Sequence, residues 1–586
     1  MLTLNEITEN LKQLFALEEY STAAQIIETA RELPELYDDT IAIYDASLCQ
    51  LNNDYPQMWT AIQRGLSCNY RNFELYLLLG EYYLPTNPDQ ACLCFENALF
   101  YCTDADDSAL IQSYIDNLKN ECRITVQKTS FIILSCSLLA YTKNCIESIR
   151  ATVPETAREI IVVDNASTDG SIAWLKEQKD IIVRENKENS GFPKGCNEGI
   201  ELASRENDIF LLNNDTQLTP NALFWLRMGL YENETHGTAG SVSNCVPNLQ
   251  KVPLNDFSIH AQLSFGEKNN VPMNHPYEEK LFLIGFALLI RRTVLDKLGG
   301  LDERFSPGNY EDTDYGLRVL QAGYKNILCK NSFIIHFGSK TFEKTEQDYD
   351  TLLNTNRKKF KEKWGIDESH SLYPRQELAA RITEDQETPF TLLDIGCGCG
   401  ATASFLKGKY PHATIHGVEI SPTHAGIAGH MLDVICADIE ALDFPWPENY
   451  FDYVILGDVL AQLRQPAHLL RRLHRHVKKG GHIIVSMPNI KHYSYILPLI
   501  IKDRFPSKEN DIPDTTQRKL YTGEELLRLI SGNGYHNIEY YSYTTAGTPD
   551  EATSELIDLL VSLSESKERF PYLAYQYIVK AQKTEF

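Results

Sequence analysis

The stretch Ile160-Ile161-Val162-Val163-Asp164-Asn165-Ala166-Ser167-Thr168-Asp169-Gly170 decides the fold of the central part of the chain. Four consecutive β-branched residues form a strand of the kind that is buried on both faces of a parallel sheet. The strand runs into an acid followed by turn formers, and an acid there stands at the carboxyl edge where parallel α/β sheets bind nucleotides. Upstream, Phe131-Ile132-Ile133-Leu134 reads as a first buried strand and the residues up to Arg150 as a helix, so the region opens β-α-β. A third strand is expected over residues 181–185. The loop from Asn189 to Gly199 follows and enters a helix; it carries Gly191 and Asn197 as nucleotide-contact candidates, because a glycine-bearing loop there can approach a phosphate or base closely.

The next strand, Ile209-Phe210-Leu211-Leu212, ends in Asn213-Asn214-Asp215-Thr216. A carboxylate at that edge can hold a hard divalent cation bridging a diphosphate, although the same residues also form ordinary turns through local hydrogen bonds. Residues 282–290 read as a buried strand carrying Gly285. After the loop Phe305-Ser306-Pro307-Gly308-Asn309 comes an acidic cluster, Glu311-Asp312-Thr313-Asp314, in which Asp314 is placed to cap a helix beginning near Tyr315. His336 follows a later strand.

A second nucleotide-type signature lies 230 residues on from Asp164, since Asp394 occupies the strand-loop Leu392-Leu393-Asp394-Ile395-Gly396-Cys397-Gly398-Cys399-Gly400. The strand after it, residues 414–418, ends in Glu419, where a carboxylate can accept both ribose hydroxyls of a nucleoside. Asp438, in Cys436-Ala437-Asp438, stands near an adenine edge. Further strands are expected over residues 451–457, leading to Asp458, and 482–487. Residues 367–389 between the two α/β regions are charged and read as an exposed linker.

Before residue 122 the pattern is helical throughout, with a weak repeat of about 34 residues aligning Ala23/Ile27/Ala30, Met58/Ile62/Gly65 and Ala91/Phe95/Ala98. Such an arm either presents a concave surface to a protein partner or acceptor, or caps the next domain. A net charge of −25 excludes ordinary nucleic-acid binding, which needs a basic stripe. No apolar run is long enough for a bilayer span, and Met1-Leu2-Thr3-Leu4-Asn5-Glu6 lacks a secretory n-region, so a cytoplasmic protein with at most peripheral membrane contact is expected. The fourteen cysteines show no zinc-ligand spacing and read as reduced thiols.

The ordered series from Asp164 through Asp215 to Asp312 resembles the inverting family 2 glycosyltransferases of GT-A fold, particularly the rhamnosyltransferase-like branch. The resemblance implies a nucleotide-diphospho-sugar donor held by Asp164 and Asn165, with Asp169 supporting the turn and Asn213 and Asn214 completing the donor site. It implies a Mn²⁺ or Mg²⁺ ion on Asp215 and His336, Asp312 as the base, and Glu311 orienting a glycan or glycoprotein acceptor. Two departures stand out: the metal motif keeps one carboxylate, and Ser135-Cys136-Ser137 replaces the more usual Thr-Tyr-Asn. The last region resembles class I S-adenosylmethionine-dependent methyltransferases. That resemblance places Gly396, Gly398 and Gly400 along the methionine moiety, Glu419 on the ribose and Asp438 on adenine, with Asp394 in the same cofactor site. Here Asp458-Val459-Leu460-Ala461-Gln462-Leu463 and Thr515-Thr516-Gln517-Arg518 lack histidines that relatives carry, which leaves His492 as the acid-base candidate beside the plainer reading of a buried histidine. Leu79-Gly80-Glu81-Tyr82-Tyr83 and the Ala91/Phe95 pair resemble tetratricopeptide repeats.

The expected chain is therefore multidomain: an all-α repeat arm (1–122), a GT-A α/β glycosyltransferase domain (128–366), a linker (367–389) and a Rossmann-like α/β methyltransferase domain (390–586). The resemblances imply a bifunctional enzyme of bacterial surface-glycan or glycoprotein biosynthesis. The alternative is a glycosyltransferase whose arm and degenerate methyltransferase domain serve as a scaffold.

Overall fold

The computed structural model describes residues 3–338, 346–503, 519–544 and 548–584. The chain divides into two compact units, Met1–Lys363 and Trp364–Phe586.

The first unit begins with seven α-helices among the described residues, from Leu4–Ala16 to Ala105–Glu121. Their starts are written in the sequence: Asp38, Asp54, Asn72, Asn87 and Asp104 each accept a backbone amide of the first turn. The repeat's small positions are where helices touch. A Cβ on Gly80 would lie 2.3 Å from the Phe95 ring, so only glycine admits that ring between the helices.

The helices do not stand apart from the α/β region. Gln90 Nε2 donates to the Met228 carbonyl (2.9 Å), Trp59 Nε1 to Asn274 Oδ1 (3.0 Å), and Arg227 pairs with Glu96 at 3.1 Å. Buried Asn221 takes the Tyr101 hydroxyl on its Oδ1 (2.8 Å) and donates to the Tyr76 hydroxyl (2.9 Å). One hydrophobic core runs through both parts. Of the two readings of the arm, these contacts are those of a cap built onto the next domain.

The sheet of this unit contains β1 (Thr129–Ser135), β2 (Arg158–Asn165), β3 (Ile181–Asn186), β4 (Asp208–Asn213), β5 (Thr216–Leu218), β6 (His236–Val242), β7 (Tyr277–Lys280), β8 (Ala287–Ile290) and β9 (Lys325–His336). Their order is β3-β2-β1-β4-β8-β6-β9-β5, with β7 also on β9. β1 to β4 pair in parallel, which gathers the ends of β1, β2 and β4 on one edge; β8 is antiparallel to β4. The strand expected over residues 282–290 is shorter, because Gly285 and Phe286 lie in a turn that bonds to neighbouring loops.

The second unit is a seven-stranded sheet of β10 (Thr391–Ile395), β11 (Thr414–Glu419), β12 (Asp433–Cys436), β13 (Phe451–Gly457), β14 (Val477–Pro488), β15 (Tyr535–Thr544) and β16 (Ala574–Lys583), in the order β12-β11-β10-β13-β14-β16-β15. β10 to β14 are parallel and β16 is antiparallel to both β14 and β15. The stretch 367–389, expected as an exposed linker, is partly built into this unit. Leu372, Leu378, Ala379 and Ile382 are buried, the Arg375 amide donates to Thr402 Oγ1 at 3.1 Å, and the Tyr410 hydroxyl donates to the Ile382 carbonyl at 2.8 Å. Its charged composition hid four apolar anchors. Among the described residues no helix is long and apolar enough to cross a membrane.

Candidate active sites

At the end of β2 the buried Asp164 accepts the Ser167 amide on Oδ1 (2.9 Å), which closes the turn. Its Oδ2 is buried with no hydrogen-bond partner. Asn165 faces the neighbouring loop, taking the Asn186 amide (2.9 Å) and the Ser190 hydroxyl (3.1 Å) on Oδ1 and donating to Asn189 Oδ1 at 3.2 Å. Asp169 accepts the Leu139 amide (2.8 Å) and both the amide (3.1 Å) and hydroxyl (2.5 Å) of Ser171. Burial raises its pKa, but these bonds outweigh that and hold it below the usual carboxylate range.

Gly191, with φ +82°, presses on the loop that leads to the acidic cluster: a Cβ there would lie 2.9 Å from Pro307 Cα, and the next amide, of Phe192, donates to the Pro307 carbonyl at 2.8 Å. Asn197 is a clamp in the structure. Its side chain bonds to both the amide (2.8 Å) and the carbonyl (2.9 Å) of Leu301 and to Glu303 (3.0 Å), so its amide is turned to the protein and not to a nucleotide, a point that loop spacing alone does not reveal.

Asp215 and His336 come together through strand register, since β5 pairs with β9 with Thr216 opposite His336. Both side chains are buried, and His336 Nε2 lies 3.3 Å from Asp215 Oδ1 without the geometry of a hydrogen bond. The other ring nitrogen, Nδ1, is 2.7 Å from the Cys245 carbonyl, which can only accept, so Nδ1 carries the proton of the neutral ring. An imidazole lone pair then faces a carboxylate oxygen. Two such donors side by side fit a divalent cation between them. No group of three or more His, Cys, Asp or Glu suited to a metal occurs among the described residues, so any cation here would complete its shell from a diphosphate and water. Asn214 donates to Thr142 Oγ1 at 3.1 Å, and the Asn213 amide to the Phe286 carbonyl at 2.9 Å.

The helix after the acidic cluster starts earlier than expected, at Glu311, behind Tyr310 in the left-handed region. Asp314 is consequently not its cap. It is buried inside the first turn and paired with Arg318 (3.0 Å) and Lys363 (2.5 Å), the second partner coming from a distant helix that sequence spacing does not announce. Asp312 accepts the Gly285 amide on Oδ2 (3.0 Å) and the Thr313 amide on Oδ1 (2.7 Å). Glu311 Oε2 is buried with no hydrogen-bond partner. Burial, reinforced by Asp312, pushes the Glu311 carboxyl well above its usual range; burial raises Asp312 as well, opposed by its hydrogen bonds.

Two consecutive residues link these groups. Gly285 donates to Asp312, and Phe286 takes the Asn213 amide on its carbonyl and packs its ring against His336, with centroids 5.2 Å apart. Sequence reading also missed Asn244, which holds the His336 backbone by its amide (2.8 Å) and carbonyl (2.9 Å), and Gln250, whose Oε1 takes the Ile284 amide at 2.7 Å. Neither lies in a motif; only the folded loop brings them there.

In the second unit Gly396, Gly398 and Gly400 have φ of +73°, +56° and +87°, conformations that favour glycine. Glu419 is held by the loop itself: Oε2 accepts the Gly398 amide (2.9 Å) and Oε1 the Ser421 amide (2.8 Å). Asp438 is exposed and takes the Glu440 amide at 2.9 Å. Asp394 is buried and its pKa is pushed up to about 7 by that burial, against the pull of Arg375. Arg375 reaches the carboxyl edge from the supposed linker. Its Nη1 donates to Asp458 Oδ2 (2.9 Å), while Asp458 Oδ1 takes Ser486 Oγ (2.9 Å) and Gln576 Nε2 (2.7 Å). His492 is buried beyond β14, and residues Thr515-Thr516-Gln517-Arg518 lie outside the described residues.

Comparison with known proteins finds matches in both units. Residues 130–299 match the model of glycosyl transferase family 2, and residues 368–540 match a methyltransferase domain. Trans-aconitate 2-methyltransferase of Methylobacterium nodulans is 34% identical over 119 residues, covering 20% of this chain and 44% of that protein. The demethylmenaquinone methyltransferase of Listeria welshimeri is 23% identical over 226 residues, covering 35% of this chain and 90% of the relative. An Archaeoglobus fulgidus SAM dependent methyltransferase structure is 21% identical and covers 38% of this chain and 98% of its own, with a TM-score of 0.27. The chain spans less than half of the first of these relatives. A stretch matching the family 2 glycosyltransferase model and a stretch matching a methyltransferase domain thus lie in one polypeptide behind an N-terminal helical region.

Proposed function

We propose that the first unit transfers a sugar from a nucleotide-diphospho-sugar to a hydroxyl of a glycan or glycoprotein, with inversion, and that the second unit methylates a component of the same pathway from S-adenosylmethionine. One observation carries the first reading. Three buried polar atoms, Asp164 Oδ2, His336 Nε2 and Glu311 Oε2, have no hydrogen-bond partner, and each belongs to a segment at or joined to the same sheet edge. Buried groups of this kind are ordinarily satisfied, and three left open around one sheet edge support a ligand-binding reading of that edge.

In this reading Asp164 binds the donor nucleotide, and Asn165, Asp169 and Gly191 hold the loops around it. Asp215 and His336 hold a Mn²⁺ or Mg²⁺ ion, beside Asn213 and Asn214; when bound, the ion neutralises charge developing on the departing diphosphate. Asp312 takes the proton of the acceptor hydroxyl as its oxygen bonds to C1 and the bond from C1 to the diphosphate breaks. The Gly285 and Thr313 amides keep the Asp312 carboxylate aimed. Glu311, whose carboxyl pKa is pushed upward by burial, orients the acceptor. In the second unit Gly396, Gly398 and Gly400 admit the methionine moiety, Glu419 binds the ribose and Asp438 the adenine, with Asp394 behind the loop. The setting we propose is the cytoplasmic face of bacterial surface-glycan or glycoprotein assembly.

Titration calorimetry with uridine-, deoxythymidine- and guanosine-diphosphate sugars, with and without Mn²⁺, tests the donor site. Selective binding strengthened by Mn²⁺ is expected. Failure of every donor to bind, in protein that still takes up S-adenosylmethionine, overturns it. The anomeric configuration of the product, read by NMR, tests inversion.

A further inference from the structure

β14 ends at Pro488, and the turn after it is pinned to β16. Asn489 donates from its side chain to the Pro571 and Ala574 carbonyls, both at 2.7 Å, and from its backbone to the Tyr575 carbonyl at 3.0 Å. This turn delivers His492 as the cap of the helix Tyr493–Lys502. The ring is 1% exposed and packs against Tyr493, with centroids 4.3 Å apart, and against the edge of Tyr575 at 5.4 Å.

Which nitrogen holds the proton follows from the cap. The Ser494 backbone amide can only donate, and it points to His492 Nδ1 at 3.3 Å, with the Ser494 hydroxyl at 2.8 Å from the same nitrogen. Nδ1 therefore accepts, and the neutral ring carries its proton on Nε2. Burial lowers the pKa to about 4, so the ring stays neutral at ordinary pH. Nε2 is buried and has no hydrogen-bond partner. A buried N–H of this kind is costly unless something accepts it.

The place matters as much as the proton. β14 runs parallel to β13, with Gly457 opposite Ser486, and lies two strands from β10, about 10 Å across the sheet. The cofactor glycines follow β10 and Glu419 ends β11, so His492 lies beyond the end of a neighbouring strand on the same edge, on the side away from Glu419. Among the described residues Asp458 also lies at this edge, with its carboxylate saturated by Arg375, Ser486 and Gln576. His492 Nδ1 and both oxygens of Asp458 are thus already engaged.

Resting on the methyltransferase reading of the second unit, we propose that His492 binds the methyl acceptor by donating its Nε2–H to an acceptor oxygen, and that this oxygen is already anionic, a carboxylate or phenolate. No base is then required. The oxygen lone pair forms the bond to the methyl carbon, the carbon–sulfur bond breaks with its electrons going to sulfur, and anion plus sulfonium become two neutral products.

The test uses the full chain with S-adenosylmethionine and three probes: an oligosaccharide of glucuronate, 4-nitrophenol, and neutral methyl glucoside. Transfer is expected to glucuronate or nitrophenol and not to methyl glucoside, and the favoured arm tells carboxylate from phenolate. His492→Asn keeps the cap but loses the ε donor. It should raise KM for the acceptor about 10- to 100-fold, the scale of one hydrogen bond to a charged group, with kcat less affected. His492→Gln, which can place an N–H near the Nε2 position, should recover most of that loss. Nitrogen-15 spectra of the histidines should show the neutral Nε2–H form at pH 7. A His492→Asn enzyme with wild-type KM, an Nδ1–H or doubly protonated ring, or transfer to the neutral glycoside alone each overturns the proposal. Transfer to none of the probes by protein that binds S-adenosylmethionine removes the acceptor class and leaves the methyltransferase reading standing; absence of cofactor binding removes that reading itself.

Discussion

The two sites differ in how their strand-end groups are bonded. In the glycosyltransferase unit Asp164, Glu311 and His336 are buried with one polar atom each left unbonded, and Asp215 faces an imidazole without a hydrogen bond between them. In the methyltransferase unit Glu419 is bonded twice by backbone amides, and Asp458 three times by side chains. The first arrangement leaves Asp164 Oδ2, Glu311 Oε2 and His336 Nε2 open. The second is preorganised by the protein itself, suited to a cofactor that carries its leaving group with it. The difference shows that one kind of sheet edge can be bonded in two ways.

The sharpest way to break this comparison is at the proposed base. Asp312→Asn should lower kcat for glycosyl transfer by about 10²- to 10⁴-fold, the usual contribution of a general base, and leave formation of S-adenosylhomocysteine unchanged. Wild-type sugar transfer by this variant would falsify the assignment.

Asp394 offers a test on the other side. Its folded pKa of about 7 lies above the ordinary aspartate value of 3.8, so folding favours the protonated form. Stability from this group is complete below about pH 4 and is lost as pH rises through about 7, by up to about 4 kcal/mol at 1.36 kcal/mol per unit. Thermal unfolding of the cofactor-free protein between pH 4 and 8 should show this decline, and Asp394→Asn should flatten it. An unchanged slope in the variant would place its origin elsewhere.

At the cation site His336→Ala and Asp215→Asn should each weaken Mn²⁺ binding and reduce sugar transfer by about 10²- to 10³-fold, the loss found when one stabilising group for developing charge is removed. Chelation should match them. Equal rates with and without chelator would show that the pair is only a packing contact.

The smallest effect concerns the helical cap. Asn221→Ala strips the Tyr76 and Tyr101 hydroxyls of their shared partner and puts alanine at φ +61°, which should destabilise the first unit by about 1–3 kcal/mol. Calorimetric unfolding of the full chain would register it. No change would mean that the arm is less firmly seated than these bonds indicate.

Residues that sit at strand ends were legible without a structure, because apolar β-branched runs mark parallel strands and the acid that follows each run must fall on the carboxyl edge. Asp164, Asp215, Asp394 and Glu419 were read in that way. Residues whose role comes from another segment were not. Asn197 stands in a glycine-bearing loop yet clamps Leu301 and Glu303, and Asp314 looks like a cap yet pairs with Arg318 and Lys363. The charged 367–389 stretch looked like a connector because four buried apolar anchors among charged neighbours make no periodic pattern.

By itself the sequence determined where the strand-end acids and the left-handed glycines fall, since both are local requirements written in consecutive residues. Tertiary structure alone decided what those groups are free to do. Whether Asp458 is available or saturated, whether His492 carries its proton on Nε2, and whether His336 meets Asp215 or the solvent all depend on hydrogen bonds and register between segments far apart in the chain. Proton positions and open lone pairs are settled by partners, and partners are chosen by the fold.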